Sequence, residues 1–575
     1  MSVPPPDGWL PLTAAQLGVY FLHQLQPDTP VCSSAELVEL PPGLDVERLV
    51  AALRSTYAEN EQLRVRFRTG PDGPQQQVLD DSADVAVVAV ADRSAADAWI
   101  DQRLAVPFAI EDGDVVRTAI LSVAGEPRWW WHAGHHVVID GYGFIRFAAR
   151  VGEHYRGAAR PVPQVSVAEL VAEDVTRRGL DAVAEEQAFW AGRLADAEGS
   201  SSLAGRTAGP VTPVHQVALP LSPQMQSGLV AAASSYGVAW TEVVTAAFAG
   251  YLGRLAPADP AKVRLGVSFM DRFAAGRGAW LTAKTICTAM NVLPVCLPAV
   301  DVTVGELVAK AAAELAAVRD HVTVRHEDLA RELRQRRGAG TALFGPQVNL
   351  LPFTTTVDFG VGQGAVRNLT AGPVEDMTWT VRGAVGRGQP VWLEIAGNPE
   401  LYGHHEIEGT ADRLLSWLET FAGSEPTAAV AELPLLSAVE QQHVIEGINA
   451  TERPDLLATA TTLPQAFEAQ VAATPEAVAL VDEDRSWTYA ELGAAVDRLS
   501  STLRRISLPT GAAVGVALPR DARLFVAVHG IVAAGSPYVP LDPELPSRRL
   551  GELVVDADVR VVITDAAGWG SSRPA

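Results

Sequence analysis

Apolar positions recur at helical spacing or in strict alternation along most of the chain, and the switches between the two periods mark out its elements. Thr13 stands ahead of the helically spaced run that ends at Leu25, as an N-cap stands ahead of a helix. Ala35 to Leu40 reads as a strand, Val46 to Tyr57 as a helix, and Glu61 to Phe67 as a helix end passing into a strand. Gln75 to Val90 and Val115 to Val123 read as strands, with the helix Ala95 to Leu104 between them. Arg128-Trp129-Trp130-Trp131-His132 is an aromatic strand, and Phe144 to Tyr155 is the next helix. Pro161 and Pro163 then break the chain, and a polar helical region runs to Trp190.

The second half repeats this mixture. Thr212 to Leu219, Val263 to Arg272 and Val391 to Ala396 read as strands. Residues 222–236 and 240–255, Val304 to Val318, Val324 to Arg337 and Ile407 to Phe421 read as helices, and Val357 to Gly362 as a glycine-rich turn. Beyond Thr462, helices (462–473, 490–506, 524–534) alternate with strands (514–518, 559–564), as at the start of a doubly wound sheet.

Composition narrows the picture. At 575 residues, three or four domain-sized units are expected. Net charge is −23, from 45 basic and 68 acidic residues, which argues against nucleic acid or an anionic membrane as partner. Cys32, Cys287 and Cys296 show neither CxxC nor metal spacing, so no metal site is expected and a reducing cytoplasm fits. The first seven residues are neither basic nor apolar, and no apolar run approaches the ~20 residues of a membrane span. The chain is therefore expected to be cytoplasmic. Its lysines are Lys262, Lys284 and Lys310, and none follows.

The chemistry concentrates in His135-His136-Val137-Val138-Ile139-Asp140-Gly141. Alternation turns one imidazole inward and the other to the opposite side, Val-Val-Ile buries well, and Asp-Gly signals a turn. A histidine held at a strand end exchanges a proton near neutral pH, its ordinary pKa being ~6.5. A satisfied core histidine is the competing reading. His404-His405 is a second pair, but Glu-Ile-Glu-Gly follows it, and a solvated helix start accounts for it.

The pattern HHxxxDG resembles the core motif of nonribosomal peptide synthetase condensation domains, in the chloramphenicol acetyltransferase-like superfamily. Further segments resemble other motifs of that family: Thr13-Ala14-Ala15-Gln16-Leu17-Gly18-Val19-Tyr20, Glu61 to Phe67, Val263 to Arg272, Ala289 to Val295, and Leu343 to Asn349. The first, with Gly18 where many members carry arginine, is closest in flavour to siderophore-type condensation domains. The resemblance implies an α/β fold of two chloramphenicol acetyltransferase-like lobes in a V-shaped pseudo-dimer, with lobes at 8–178 and 179–435 and a linker at 436–460. It implies that His136 is catalytic, supported by His135, Asp140, Gly141 and Arg272, with Arg272 pairing with Asp140. It places Gln16, Gly143, Asn291 and Asn349 along a substrate tunnel; Gly143 stands where serine is common.

Trp487 to Leu492 and Val532 to Asp542 resemble the first two core motifs of adenylation domains. Residues 461–575 therefore read as a truncated N-terminal piece of such a domain, a partial α/β adenylation subdomain. Its phosphate loop and later ATP-contacting motifs are missing, so no adenylation activity is expected. The activity implied is amide-bond formation between a carrier-bound acyl or peptidyl thioester and a carrier-bound aminoacyl acceptor. The chain binds no cofactor itself; phosphopantetheine arrives in trans on donor and acceptor carrier proteins of other synthetase modules. The alternatives are a standalone acyltransferase using soluble acyl-CoA or a free amine, and a non-catalytic recruiting domain.

Overall fold

The computed structural model describes residues 8–80, 84–162, 164–195, 202–255, 263–270, 272–274, 278–279, 281–298, 301–338, 341–353, 356–370, 372–457, 461–482, 485–509 and 511–565. Pro163 and Asp271 lie outside them, as do 458–460 of the expected linker and 566–575. The chain forms two compact units, Met1–His443 and Val444–Ala575.

The first unit holds two six-stranded sheets, each with its own core. In the first, Glu126–His135 lies between Ser33–Glu39 and Val116–Val123, antiparallel to both, and Val85–Ala89 adds in parallel at one edge. Simple alternation does not describe the aromatic strand, because Trp130 and Trp131 are both buried. Both faces of the sheet are covered, so both side-chain sets find apolar partners. Trp131 meets Trp99 of the helix Arg93–Leu104 edge-on at 5.4 Å, and Trp130 meets Phe147 of the helix Gly141–Arg156 at 6.0 Å. The run Gln75 to Val90 is corrected to two strands in different sheets, Gly73–Val78 and Val85–Ala89, with the acidic sequence Asp80 to Asp84 between them.

The second sheet runs in the order Met290–Leu297, Val263–Met270, Gln347–Leu351, Met377–Arg382, Trp392–Gly397, His215–Pro220. Trp379 and Val381 anchor its centre against Phe248 and Tyr251 of the helix Trp240–Leu255. The two cores meet in sequence near residue 180: Val167 and Val171 pack into the first, Trp190 and Leu194 into the second. The halves are not contiguous in sequence. The hairpin Thr356–Asp358 and Gln363–Asn368 joins the first sheet through Ser33–Glu39, which corrects the assignment of all of 179–435 to the second lobe. Phe359, in its turn, is buried in the first core.

In the second unit, a capping box of Thr488 and Glu491 starts the helix Tyr489–Arg505. Three parallel strands follow in the order Tyr538–Pro540, Val514–Ala517, Val561–Thr564, with the helix Ala522–Ala533 between the first two in sequence. This is the doubly wound start that the alternation predicts.

Candidate active site

The strand Glu126–His135 ends at the first histidine, and the chain then turns into the helix Gly141–Arg156. Asp140 is the N-cap of that helix and accepts the Gly143 N–H at 2.9 Å. The Asp-Gly pair, read as a turn, is thus a helix start; both uses rest on aspartate bonding a nearby backbone N–H.

The two imidazoles are fixed differently. His135 is buried, and its Nδ1 accepts the Val137 N–H at 3.1 Å. Its proton therefore sits on Nε2, which donates to His23 Nδ1 at 3.3 Å. Burial, with His23 and His136 nearby, holds its pKa well below the ordinary range, so it stays neutral. His136 is half-buried, and its Nδ1 lies 3.1 Å from the Ile139 carbonyl. A carbonyl only accepts, so Nδ1 carries the proton and Nε2 keeps a free lone pair. Burial lowers the pKa of His136 too, against the opposing pull of the Ile139 carbonyl and Asp140. The backbone of His136 is held at both ends, by its N–H to Cys32 O at 2.8 Å and by the Thr288 hydroxyl on its carbonyl. Its Nε2 faces Gly372: a Cβ placed there would lie 3.2 Å from that nitrogen.

Asp140 and Arg272 form a buried ion pair. One terminal guanidinium nitrogen of Arg272 lies 2.8 and 2.9 Å from the two Asp140 oxygens and 2.7 Å from Cys287 O. The other donates to Thr282 O, and Tyr142 lies under the guanidinium at 4.6 Å. Oδ2 of Asp140 also accepts the Ala289 N–H at 3.0 Å. The loop carrying His136 is thereby tied to the second half of the chain through residues 272 and 282–289.

The four expected tunnel residues separate. Gln16 lines a recess of about 40 Å³ with Gln62, Glu173, Arg325, Val138 and Ala289. Its amide, however, is engaged reciprocally with Gln76 and completes the capping box of Thr13. Gly143 and Asn291 are corrected to packing positions. A Cβ at Gly143 would meet Ile139 at 2.8 Å, and Asn291 is fully buried, clamping the Val322 and Val324 carbonyls and the His326 N–H. Asn349 is half-buried in the strand Gln347–Leu351, opposite Thr380. Gly18 leaves space that the Glu327 carboxylate fills, so a side chain there would have to displace that carboxylate. Sequence reasoning does not find Gly372, His23 or Thr288. None carries a local signal, because each acts across more than 100 residues of chain.

The neutral histidines set a pH dependence. Unfolded, they protonate near ~6.5; folded, His135 and His136 do so only at lower pH. The unfolded chain then binds more protons, so stability is complete above ~6.5 and falls as the pH drops below it. Urea midpoints are expected to be lower at pH 5.5 than at 7.5, with a smaller gap in His135→Gln. An equal gap in the variant would assign the pH effect to other groups.

His136, with its proton on Nδ1, follows a strand end in a loop that a buried aspartate–arginine pair holds. The condensation-domain family model matches residues 7–445, and the chain belongs to that family. Residues 467–574 match the AMP-binding enzyme family. The chain is 31% identical to a dimodular nonribosomal peptide synthase of Bacillus subtilis (strain 168), over 96% of its own length and 23% of that protein's. It is 29% identical to enterobactin synthase component F of Escherichia coli (strain K12), over 96% and 43% respectively. It spans less than half the length of these curated relatives. Among solved structures, the first condensation domain of the calcium-dependent antibiotic (CDA) synthetase superposes with a TM-score of 0.67 at 27% identity, over 75% of this chain and 99% of that one. The starter condensation domain of rhizomide synthetase, solved in complex with C8-CoA, gives a TM-score of 0.66 at 25% identity, over 75% and 98%. The fold is that of condensation domains, and no helix among the described residues is long and apolar enough to cross a membrane.

Proposed function

We propose that residues 1–443 join a carrier-bound acyl or peptidyl thioester to a carrier-bound aminoacyl acceptor, with His136 as the catalytic residue. The observation that carries this reading is the free Nε2 of His136, set by the proton that Nδ1 gives to Ile139 O. Proximity contributes most of the acceleration: two tethered arms brought together avoid a bimolecular encounter. The attacking amine needs little help to become neutral, since an α-amino group of pKa ~7.8 is roughly one-third free at pH 7.5. His136 therefore works after attack. Its Nε2 takes a proton from the ammonium nitrogen of the zwitterionic tetrahedral intermediate; the C–S bond then breaks to give the amide, and the imidazolium returns that proton to the departing thiolate, leaving a free thiol and a neutral histidine. Asp140 and Arg272 hold the loop.

The carriers bring the phosphopantetheine, and the step at His136 calls on no metal. Residues 1–575 taken by themselves run no adenylation, having no lysine after Lys310 to meet a triphosphate. Rates with carrier-bound and CoA-bound donors test the reading. Product only from the carrier-bound pair supports it. Equal turnover of acyl-CoA with a free amine supports the second reading, a standalone acyltransferase, which the C8-CoA complex of the rhizomide neighbour favours.

Gly372 supplies a local test. Alanine there adds a Cβ 3.2 Å from Nε2, at a backbone φ of +74° that side chains rarely adopt. Gly372→Ala is expected to slow condensation at least tenfold, and to change nothing further in a His136→Ala background. A full loss added on top of His136→Ala would show that Gly372 acts elsewhere.

A further inference from the structure

A second cavity, of about 50 Å³, lies between the helix that the active motif starts, the first sheet, and the ends of the second sheet's strands at Leu351 and Arg382. Ile145, Ala148 and Ala149 of that helix form one wall, and Phe353 and Val366 form the other. It opens at the exposed Ala149. The volume suits a few groups the size of water or methylene. The walls are apolar, yet Glu36 lines the cavity and its side chain is 5% exposed. Among the described residues, Glu36 Oε2 makes no hydrogen bond and neither does His132 Nε2, which lies 3.5 Å from it. His132 cannot turn freely to improve this contact, since its ring is stacked on Trp130 and packed against Phe144 and Phe147. Arg382, also at the cavity, is engaged by Glu394 at 3.0 Å. A buried carboxylate oxygen whose nearest polar neighbour among the described residues is an imidazole nitrogen at 3.5 Å, beyond a good hydrogen bond, is a place for a ligand's donor.

The cavity is placed to serve the same reaction. Glu36 is the ladder partner of His132, four residues before His136, ~13 Å along an extended strand. Ile145 stands about one helical turn past Gly141. Tyr142, under Arg272, contacts Phe353 of the cavity wall at 5.9 Å. Resting on the function proposed above, we infer that this cavity is a substrate-selecting pocket: it takes a short methylene chain tipped with an ammonium group, which Glu36 receives. Such a tip belongs to the donor's acyl chain or to the acceptor's side chain.

Binding of N-acetylcysteamine thioesters, measured by calorimetry, tests this without requiring turnover. The donor arm compares ε-aminocaproyl with heptanoyl, and the acceptor arm compares lysyl with norleucyl. In one arm the amino-tipped probe is expected to bind at least tenfold tighter than its apolar counterpart, and that arm names the source. The preference is expected to vanish in Glu36→Gln with an unchanged urea midpoint, and Ala149→Trp, at the mouth, to weaken both probes of that arm. No preference in either arm, or a preference that survives Glu36→Gln, overturns the pocket. Glu36-dependent binding with no condensation from any carrier pair would count against the proposed function and leave the pocket standing.

Discussion

Asp140→Ala is expected to lower the stability of the first unit by about 3–5 kcal/mol, the cost of stranding one member of a buried ion pair. Arg272 is fully buried, and its other acceptors are the carbonyls of Thr282, Thr285 and Cys287 and the Cys287 thiol, none of which carries a full negative charge. The variant also loses a helix N-cap and leaves the Ala289 N–H without its acceptor. Asp140→Asn separates these effects: it keeps a capping oxygen and removes the charge. Urea unfolding followed by tryptophan fluorescence reads both, with alanine the more damaging of the two. A wild-type midpoint for Asp140→Ala would mean that the pair does not hold the loop.

His136→Ala is expected to slow condensation by more than tenfold with little change in stability. The margin matters because ground-state deprotonation of the amine accounts for well under ~1 kcal/mol at pH 7.5, less than a factor of ten in rate. A larger loss places the histidine in the later steps, where a positioned base is typically worth ~10²–10⁴. A loss below tenfold would leave proximity as the whole mechanism. His135→Ala offers the contrast. His135 spends both ring nitrogens inside the fold, on Val137 and His23, so its removal lowers stability before it touches chemistry.

The helix start behind the N-cap Thr13 is legible in the sequence, because the cap is a local bond, and the helices read from Val304 and from Ala490 begin within a residue of where the structure starts them. The motifs imply the pairing of Arg272 with Asp140, and the geometry contains it. What stays hidden depends on distant chain. The strand Met377–Arg382 alternates apolar with threonine, yet Thr378 and Thr380 are buried too, as suits a central strand covered on both faces. Within the hairpin 356–368, Val357 to Gly362 reads as a glycine-rich turn, and nothing local says that the hairpin crosses to the other sheet. The tautomers of His135 and His136 follow from one N–H and one carbonyl whose directions only the folded loop fixes. Gly372 looks like any loop glycine until its neighbour is seen.

Whether His136 drives amide formation between two carrier-bound substrates can be read on the carriers themselves. The protein is mixed with loaded donor and acceptor carriers, and the carriers are weighed intact by mass spectrometry. A donor-plus-acceptor mass is expected on the acceptor carrier, lost or strongly reduced with His136→Ala. An undiminished product from the variant, or no product from any loaded pair while acyl-CoA and a free amine react, would contradict that role.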